Sequence, residues 1–422
     1  PAFDRIRAMK PYQLSDEMEK FLHDLSVVGD AWERLFDETI AGLEFEVQGD
    51  ALTIEGTLNL LTDPDRPTRQ AAAEELARVF AANIRTFARV HNTAVKEKEI
   101  MDRWRGMPTA QTGRHLSNDV EPEVVEALRD AVVAAYPKLS HRYYNLKRKW
   151  LGLDVMQVWD RNAPLPLEDP KTVTWGDARA TVMNAYAEFD PRMAEIAQPF
   201  FDKGWIDAAV KPGKAPGAFA HPTVTDVHPY VMLNYLGKPR DVMTLAHELG
   251  HGVHQVLAAG QGELLADTPL TLAETASVFG EMLTFRKLLA EAPDAAQKKV
   301  LLAGKVEDMI NTVVRQIAFY DFECKLHEAR RTRGELTTSQ INELWMSVQG
   351  ESLGPAFTFM DGYETFWSYI PHFVHSEAAQ IDFGTDRAGR RRPGRGTSWL
   401  DGTALGTVQG HEIGQRHSHP DP

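Results

Sequence analysis

The chain has a single cysteine in its 422 residues, Cys324. It can form no internal disulfide, and a reducing compartment fits that usage. Ala318, Phe322 and Leu326 lie near Cys324 at helical spacing, so it reads as a core residue. No apolar run approaches the roughly 20 residues of a membrane-spanning helix, so no membrane partner is expected. Positive charge is scarce: 46 Lys and Arg stand against 60 Asp and Glu, a formal net charge of -14. That balance argues against nucleic acid or an anionic lipid surface as the main partner, and solubility is its ordinary meaning. The chain opens Pro1-Ala2-Phe3, with no initiator Met and no charged-then-apolar leader. Nothing marks it for secretion, and a cytoplasmic location is the expectation.

What is present is mostly helical patterning. Residues 12–40 carry an apolar face through Phe21, Leu22, Leu25, Trp32, Leu35 and Phe36, with Ser15 as N-cap. Residues 45–54 alternate around Gly49-Asp50, which predicts a hairpin. A long helix is expected from Asp65-Arg66-Pro67 to about Arg105, with Leu76, Phe80, Ile84, Phe87 and Val90 on its buried stripe. Further helices are expected at 121–135, 138–150, 176–188 and 191–203, and an extended stretch at 153–160. The stretch 162–170 reads as a linker, 211–217 as a loop, 228–235 as a strand and 269–350 as helical. After Ser376 the composition turns to Gly, Arg, Pro and His, which disfavours a packed core.

The chemistry concentrates at Thr244-Leu245-Ala246-His247-Glu248-Leu249-Gly250-His251. Two histidines at i and i+4 of a helix lie roughly 40° apart around the axis and about 6 Å apart along it, so both can reach one ion. Glu248 projects about 100° from His247, placed to hold a water on that ion. A catalytic zinc needs three protein ligands and an open position. The metzincin solution would need Gly at position 254 and His at 257, where this chain has His254 and Leu257. The alternative is a carboxylate, and Glu274 stands in an otherwise apolar helical run, an unfavourable place unless paired or metal-bound. One Zn2+ on His247, His251 and Glu274 with Glu248 as general base is the resulting scheme.

Other polar residues have two readings each. His254 lies about 10 Å along the axis from His247 and cannot share its ion, so it lines substrate or makes a core hydrogen bond. Glu281, seven residues from Glu274 on the same helix face, orients a ligand or makes an ion pair. His228 and Tyr230 line a peptide groove or end a strand. Tyr369 and His372, in an aromatic–His cluster over 362–375, donate to an oxyanion or fill the core.

His247-Glu248-Leu249-Gly250-His251 with Glu274-x-x-Ser277-x-x-x-Glu281 resembles the thimet oligopeptidase and oligoendopeptidase F family of zinc metallopeptidases. Pro216-Gly217-Ala218-Phe219, Pro229-Tyr230-Val231-Met232-Leu233-Asn234-Tyr235 and Trp367-Ser368-Tyr369-Ile370-Pro371-His372-Phe373 are similar to oligoendopeptidase F. The resemblance implies a mainly α fold with a small β-sheet beside the active-site helix and a deep channel for short peptides. It implies His247, His251 and Glu274 as metal ligands, Glu248 as general base and His372 near the oxyanion. It also implies that the strand at 228–235 pairs with extended substrate. We take His228, Tyr230, His254 and Tyr369 as substrate-lining candidates and Glu281 as a residue that orients a metal ligand.

The expected organisation is a helical lobe over 1–160, shorter at its start than the family pattern, a catalytic region over 161–376 and an atypical tail over 377–422. The family pattern continues past Ser376 with a tyrosine-rich helix, whereas this chain has no tyrosine from Glu377 onward, so the expectation is a product truncated or altered there. Three functions follow from these readings: a zinc endopeptidase of oligopeptides, a zinc carboxypeptidase on a related helical scaffold, or a zinc-binding but impaired fragment or peptide-binding module. Oligomeric state is left open.

Overall fold

Ser15 accepts the backbone N–H of Met18 at 3.4 Å and starts the helix Asp16–Ala41. Asp65 accepts that of Thr68 at 3.0 Å and starts the 40-residue helix Arg66–Arg105, with Pro67 in a first turn where a missing N–H costs little. The computed structural model from which these contacts come describes residues 2–166, 172–211, 214 and 217–375. The linker expected at 162–170 and the loop at 211–217 fall partly outside those residues. The tail expected at 377–422 falls wholly outside them.

The long helix carries the first core. Leu76, Phe80, Phe87 and Val90 are buried against Phe322, Trp345, Phe366, Trp367 and Phe373, so residues from both ends of the described chain close over one helix face. The helix Asp16–Ala41 runs antiparallel to it, with Glu19 paired to Arg105 and Phe36 edge-on to Phe87. The apolar face expected on Asp16–Ala41 is mostly not buried. Phe21, Leu25 and Leu35 are exposed, because Glu19, Gly29 and Phe36 form the side that meets the long helix.

Three sequence expectations shift in detail. The hairpin pairs Phe45–Val47 with Asp50–Leu52, and its turn is Gln48-Gly49, both at positive φ, one residue earlier than expected. The extended stretch at 153–160 is a two-residue strand, Met156–Gln157, followed by a 3-10 turn. Asp160 causes the turn: it accepts the Gln157 N–H at 3.0 Å and ion-pairs with Arg66 and Arg69. The helical stretch at 269–350 is three helices, Leu270–Glu291, Ala295–Arg333 and Thr338–Leu353, with Asp294 and Thr337 capping the second and third.

The second core positions the site. Val182, Tyr186, Phe200, Val231, Leu245 and Leu249 join the helices Trp175–Phe189, Pro191–Asp202 and Pro239–Ala259 to a three-stranded sheet. In that sheet Tyr230–Met232 is central, parallel to Ile206–Asp207 and antiparallel to Phe219–His221. The fold is mainly α with a small sheet beside the helix that bears His247 and His251. Among the described residues no helix is long and apolar enough to cross a membrane.

Candidate metal centre

The site begins with two helices that touch along their backbones. A Cβ on Gly250 of Pro239–Ala259 would come within 2.8 Å of the Ala276 carbonyl and 3.0 Å of the Ser277 Cα on Leu270–Glu291. One on Gly280 would stand 3.0 Å from the Ala246 carbonyl, which already accepts the Tyr186 hydroxyl at 2.7 Å. Glycine at both contacts lets the helices come close enough for side chains from each to share one point.

At that point stand His247, His251 and Glu274, all buried. One ligand atom from each lies within 4.8 Å of the others. His247 Nε2 is 3.3 Å and His251 Nε2 3.5 Å from Glu274 Oε2. The two imidazole rings meet edge to face at 4.9 Å. Glu248, 0% exposed, is buried on the same helix between the two histidines.

Supporting contacts hold the donors in place. The Ser277 hydroxyl donates to Glu274 Oε2 at 3.0 Å. His247 Nδ1 is 3.5 Å from Glu281 Oε2, and Glu281 in turn contacts the Lys305 ammonium. Burial works against charge on His247, but Glu274 and Glu281 outweigh it and lift its pKa to about 9. Burial likewise opposes charge on Glu274 and Glu281, yet His247 and His251 at Glu274, and His247 with Lys305 at Glu281, hold both carboxyls below the ordinary range.

The donor set fits a divalent transition-metal ion. Two imidazole nitrogens and a carboxylate oxygen are a catalytic zinc set, with one position left for water. Among the described residues His247 Nε2, His251 Nε2 and Glu274 Oε1 are buried and make no hydrogen bond, a costly arrangement that a cation would relieve.

The comparisons with known proteins agree with this geometry. A family model described as Peptidase family M3 matches residues 59–377, and one described as Oligopeptidase F matches residues 1–45. The chain belongs to peptidase family M3. The group B oligopeptidase PepB of Streptococcus agalactiae is 28% identical over 382 residues, 89% of this chain and 63% of that one. The chromosomal oligoendopeptidase F of Lactococcus lactis subsp. cremoris is 29% identical over 320 residues, 75% of this chain and 52% of that one. The crystal structure of oligoendopeptidase-F from Enterococcus faecium is similar in fold, with a TM-score of 0.66 and 22% identity, covering 90% of this chain and 63% of that chain. This M3 chain therefore spans less than two thirds of the length of these relatives.

The remaining candidates of the M3 chain lie at varied places. His228 stacks flat on Trp205 with ring centroids 4.0 Å apart, and Tyr230 beside it is exposed. His254 is half-buried, one turn beyond His251; burial first, then the charge of His251, pushes its pKa down. Tyr369 stacks on Phe80 at 5.3 Å in the first core. His372 opens the turn His372–His375, which packs on Asp16–Ala41 and Arg66–Arg105.

One expectation about substrate is corrected. The strand over 228–235 was to pair with peptide, but Tyr230–Met232 already has a strand on each side. Among the described residues, the outer edge of the sheet beside the Pro239–Ala259 helix belongs to Phe219–His221. Lys305 and Tyr186 carry no local sequence signal, since each reaches the site from a helix distant in the chain.

Proposed function

We propose that the chain carries the catalytic centre of a zinc-dependent metalloendopeptidase that cuts internal bonds of short oligopeptides. The buried His247–His251–Glu274 cluster, with Glu248 between the histidines, carries this reading in a chain of peptidase family M3. The names of the two relatives, an oligopeptidase and an oligoendopeptidase, support oligopeptides as substrates. One zinc ion held by His247, His251 and Glu274 would supply Lewis acidity, bringing water to a nucleophilic state near neutral pH and polarising the scissile carbonyl.

The chain's own residues do the rest. Glu248 takes the proton of the attacking water and returns it to the leaving amine. Glu281, backed by Lys305, stands 3.5 Å from His247 Nδ1 and would accept its proton when Nε2 is given to zinc, fixing the ring with Nε2 toward Glu274. Ser277 holds Glu274 in its rotamer. His372 and Tyr369 are the candidate donors to the developing oxyanion. The edge Phe219–His221 takes the substrate main chain by strand addition, with Tyr230, His228 and His254 as flanking side chains. The single cysteine suits a reducing, cytoplasmic setting.

The test is an internally quenched oligopeptide, assayed with zinc and with chelator. Internal cleavage that chelator removes is expected. Glu248→Gln should lower the rate by on the order of 100- to 10,000-fold while zinc stays stoichiometric. A retained rate would defeat the mechanism. Loss of C-terminal residues alone would point to a carboxypeptidase, and zinc without turnover to a metal-binding chain.

A further inference from the structure

The outer edge of the small sheet is short, and Ala220 is at its centre. The Val231 and Leu233 N–H groups donate to the Trp205 and Asp207 carbonyls at 2.9 Å and 3.0 Å, on the Ile206–Asp207 side. Main-chain groups alternate in direction along a strand, so those of Tyr230 and Met232 point to Phe219–His221 instead. Tyr230 and Met232 stand opposite His221 and Phe219, while Ala220 stands opposite Val231. The Ala220 N–H and C=O therefore point away from the sheet, toward the edge where a peptide strand adds. Two residues on, Pro222 has no N–H to offer.

One side chain already stands at that edge. Gln255, on the helix Pro239–Ala259, donates Nε2 to the Ala220 carbonyl at 3.4 Å. That separation is long for a hydrogen bond between N–H and O. Its Oε1 is buried and has no hydrogen-bond partner among the described residues. An unpaired buried acceptor costs free energy, so the amide is held at Ala220 only weakly. Gln255 follows His251 by four residues, about 40° around the helix and about 6 Å along it. It stands one turn from a metal ligand, on nearly the same face.

A primary amide carries the donor and the acceptor of a peptide unit. We propose that Gln255 binds the substrate main chain. When a peptide adds beside Ala220, the Gln255 amide turns to it, accepting a peptide N–H on Oε1 and donating Nε2 to a peptide carbonyl. The same turn frees the Ala220 carbonyl for the added strand. The proposal rests on the peptidase reading above. It supplies what so short an edge lacks: further main-chain bonds, which hold a peptide in register without selecting its side chains. A rise of about 6 Å is about two extended residues, so the gripped unit lies about two residues from the one at His251.

The test is a double-substitution cycle on binding, in zinc-loaded full chain carrying Glu248→Gln so that nothing is turned over. A labelled oligopeptide is compared with a set of its esters, each with one amide N–H replaced by oxygen. At one position the ester should bind on the order of 3- to 10-fold more weakly than the parent. Gln255→Met keeps the side chain's length and has no amide. In that variant the parent should weaken by a similar factor, and the penalty of that one ester should vanish. Gln255→Leu gives the same readout from a second replacement. A change of packing alone would weaken the parent and every ester alike, and that result overturns the proposal. So does an ester penalty of one size at every position in all three chains. An internally quenched form of the parent, given to the wild-type chain, separates the two readings. Binding and cleavage without the coupling remove Gln255 and keep the peptidase. Coupling without cleavage does the reverse, and a parent that neither binds nor is cut removes both.

Discussion

At the scale of the residue, the centre divides into groups that sequence spacing makes visible and groups that it does not. His247, Glu248 and His251 are one helical turn, and the helix geometry alone puts them together. Glu274 is visible as a carboxylate stranded in an apolar run. Lys305 is different, since its tie to Glu281 spans 24 residues and two helices. No periodicity marks it. Its role gives a prediction that a bare three-ligand description would not make. Glu281→Gln keeps all three donors but weakens the pull on His247 Nδ1. Zinc affinity, measured by competition with a chelating dye, should fall on the order of 10- to 100-fold. Unchanged affinity would mean that the His247–Glu281–Lys305 chain is only an ion pair.

At the scale of the element, the centre depends on how near two helices can approach. Gly250→Ala would ordinarily favour a helix by up to about 1 kcal/mol. Here the new methyl meets backbone, not a flexible side chain, at 2.8 Å and 3.0 Å. Overpacking of that kind costs about 1–3 kcal/mol, so destabilisation should win, and zinc affinity should drop as Glu274 moves away with its helix. Gly304→Ala is the control: a Cβ there meets nothing within 4 Å, and the variant should be neutral or slightly more stable. Thermal unfolding and zinc titration of the two variants check this, and equal effects would sink the packing argument.

Helices were legible in the sequence at this scale because caps and 3.6-residue periodicity are local. The strands were less so. Tyr230–Met232 is three residues long, and what it pairs with is decided by Ile206–Asp207 and Phe219–His221, elements that its own sequence does not identify. The side of Asp16–Ala41 that faces the long helix departs from its apolar pattern for the same reason. A Glu19–Arg105 pair and a bare Gly29 set that side, against the hydrophobic count.

At the scale of the whole molecule, burial of neutral histidine makes the fold sensitive to acid. His91 is enclosed by Phe36 and the edge of Trp367, with Nδ1 donating to the Phe87 carbonyl at 2.8 Å, and burial pushes its pKa down to about 4. Burial, helped by Lys98 and Arg331, pushes His327 down to about 3. Both sit near 6.5 in an unfolded chain. Below that pH the unfolded chain takes up protons that the folded chain refuses, so stability present above pH 6.5 is lost as pH falls toward 4 and 3. For His91 alone the loss is roughly 3 kcal/mol once pH reaches the folded value. His375 has the opposite sign. Despite burial, Glu33 and Asp37 raise its pKa, so its contribution is present below 6.5 and fades as pH rises through the folded value. Its 27% exposed side chain makes that term the smaller one. In the chelated chain His247, with its pKa lifted to about 9, has the same sign as His375, so the share of His91 and His327 should show in urea unfolding as stability lost between pH 6.5 and pH 5 relative to a chain without them. The variant with His91→Phe and His327→Leu should lack that loss whatever its absolute stability, because neither replacement titrates. A slope as steep as the wild type's would mean that carboxylates, not these two imidazoles, govern the acid response.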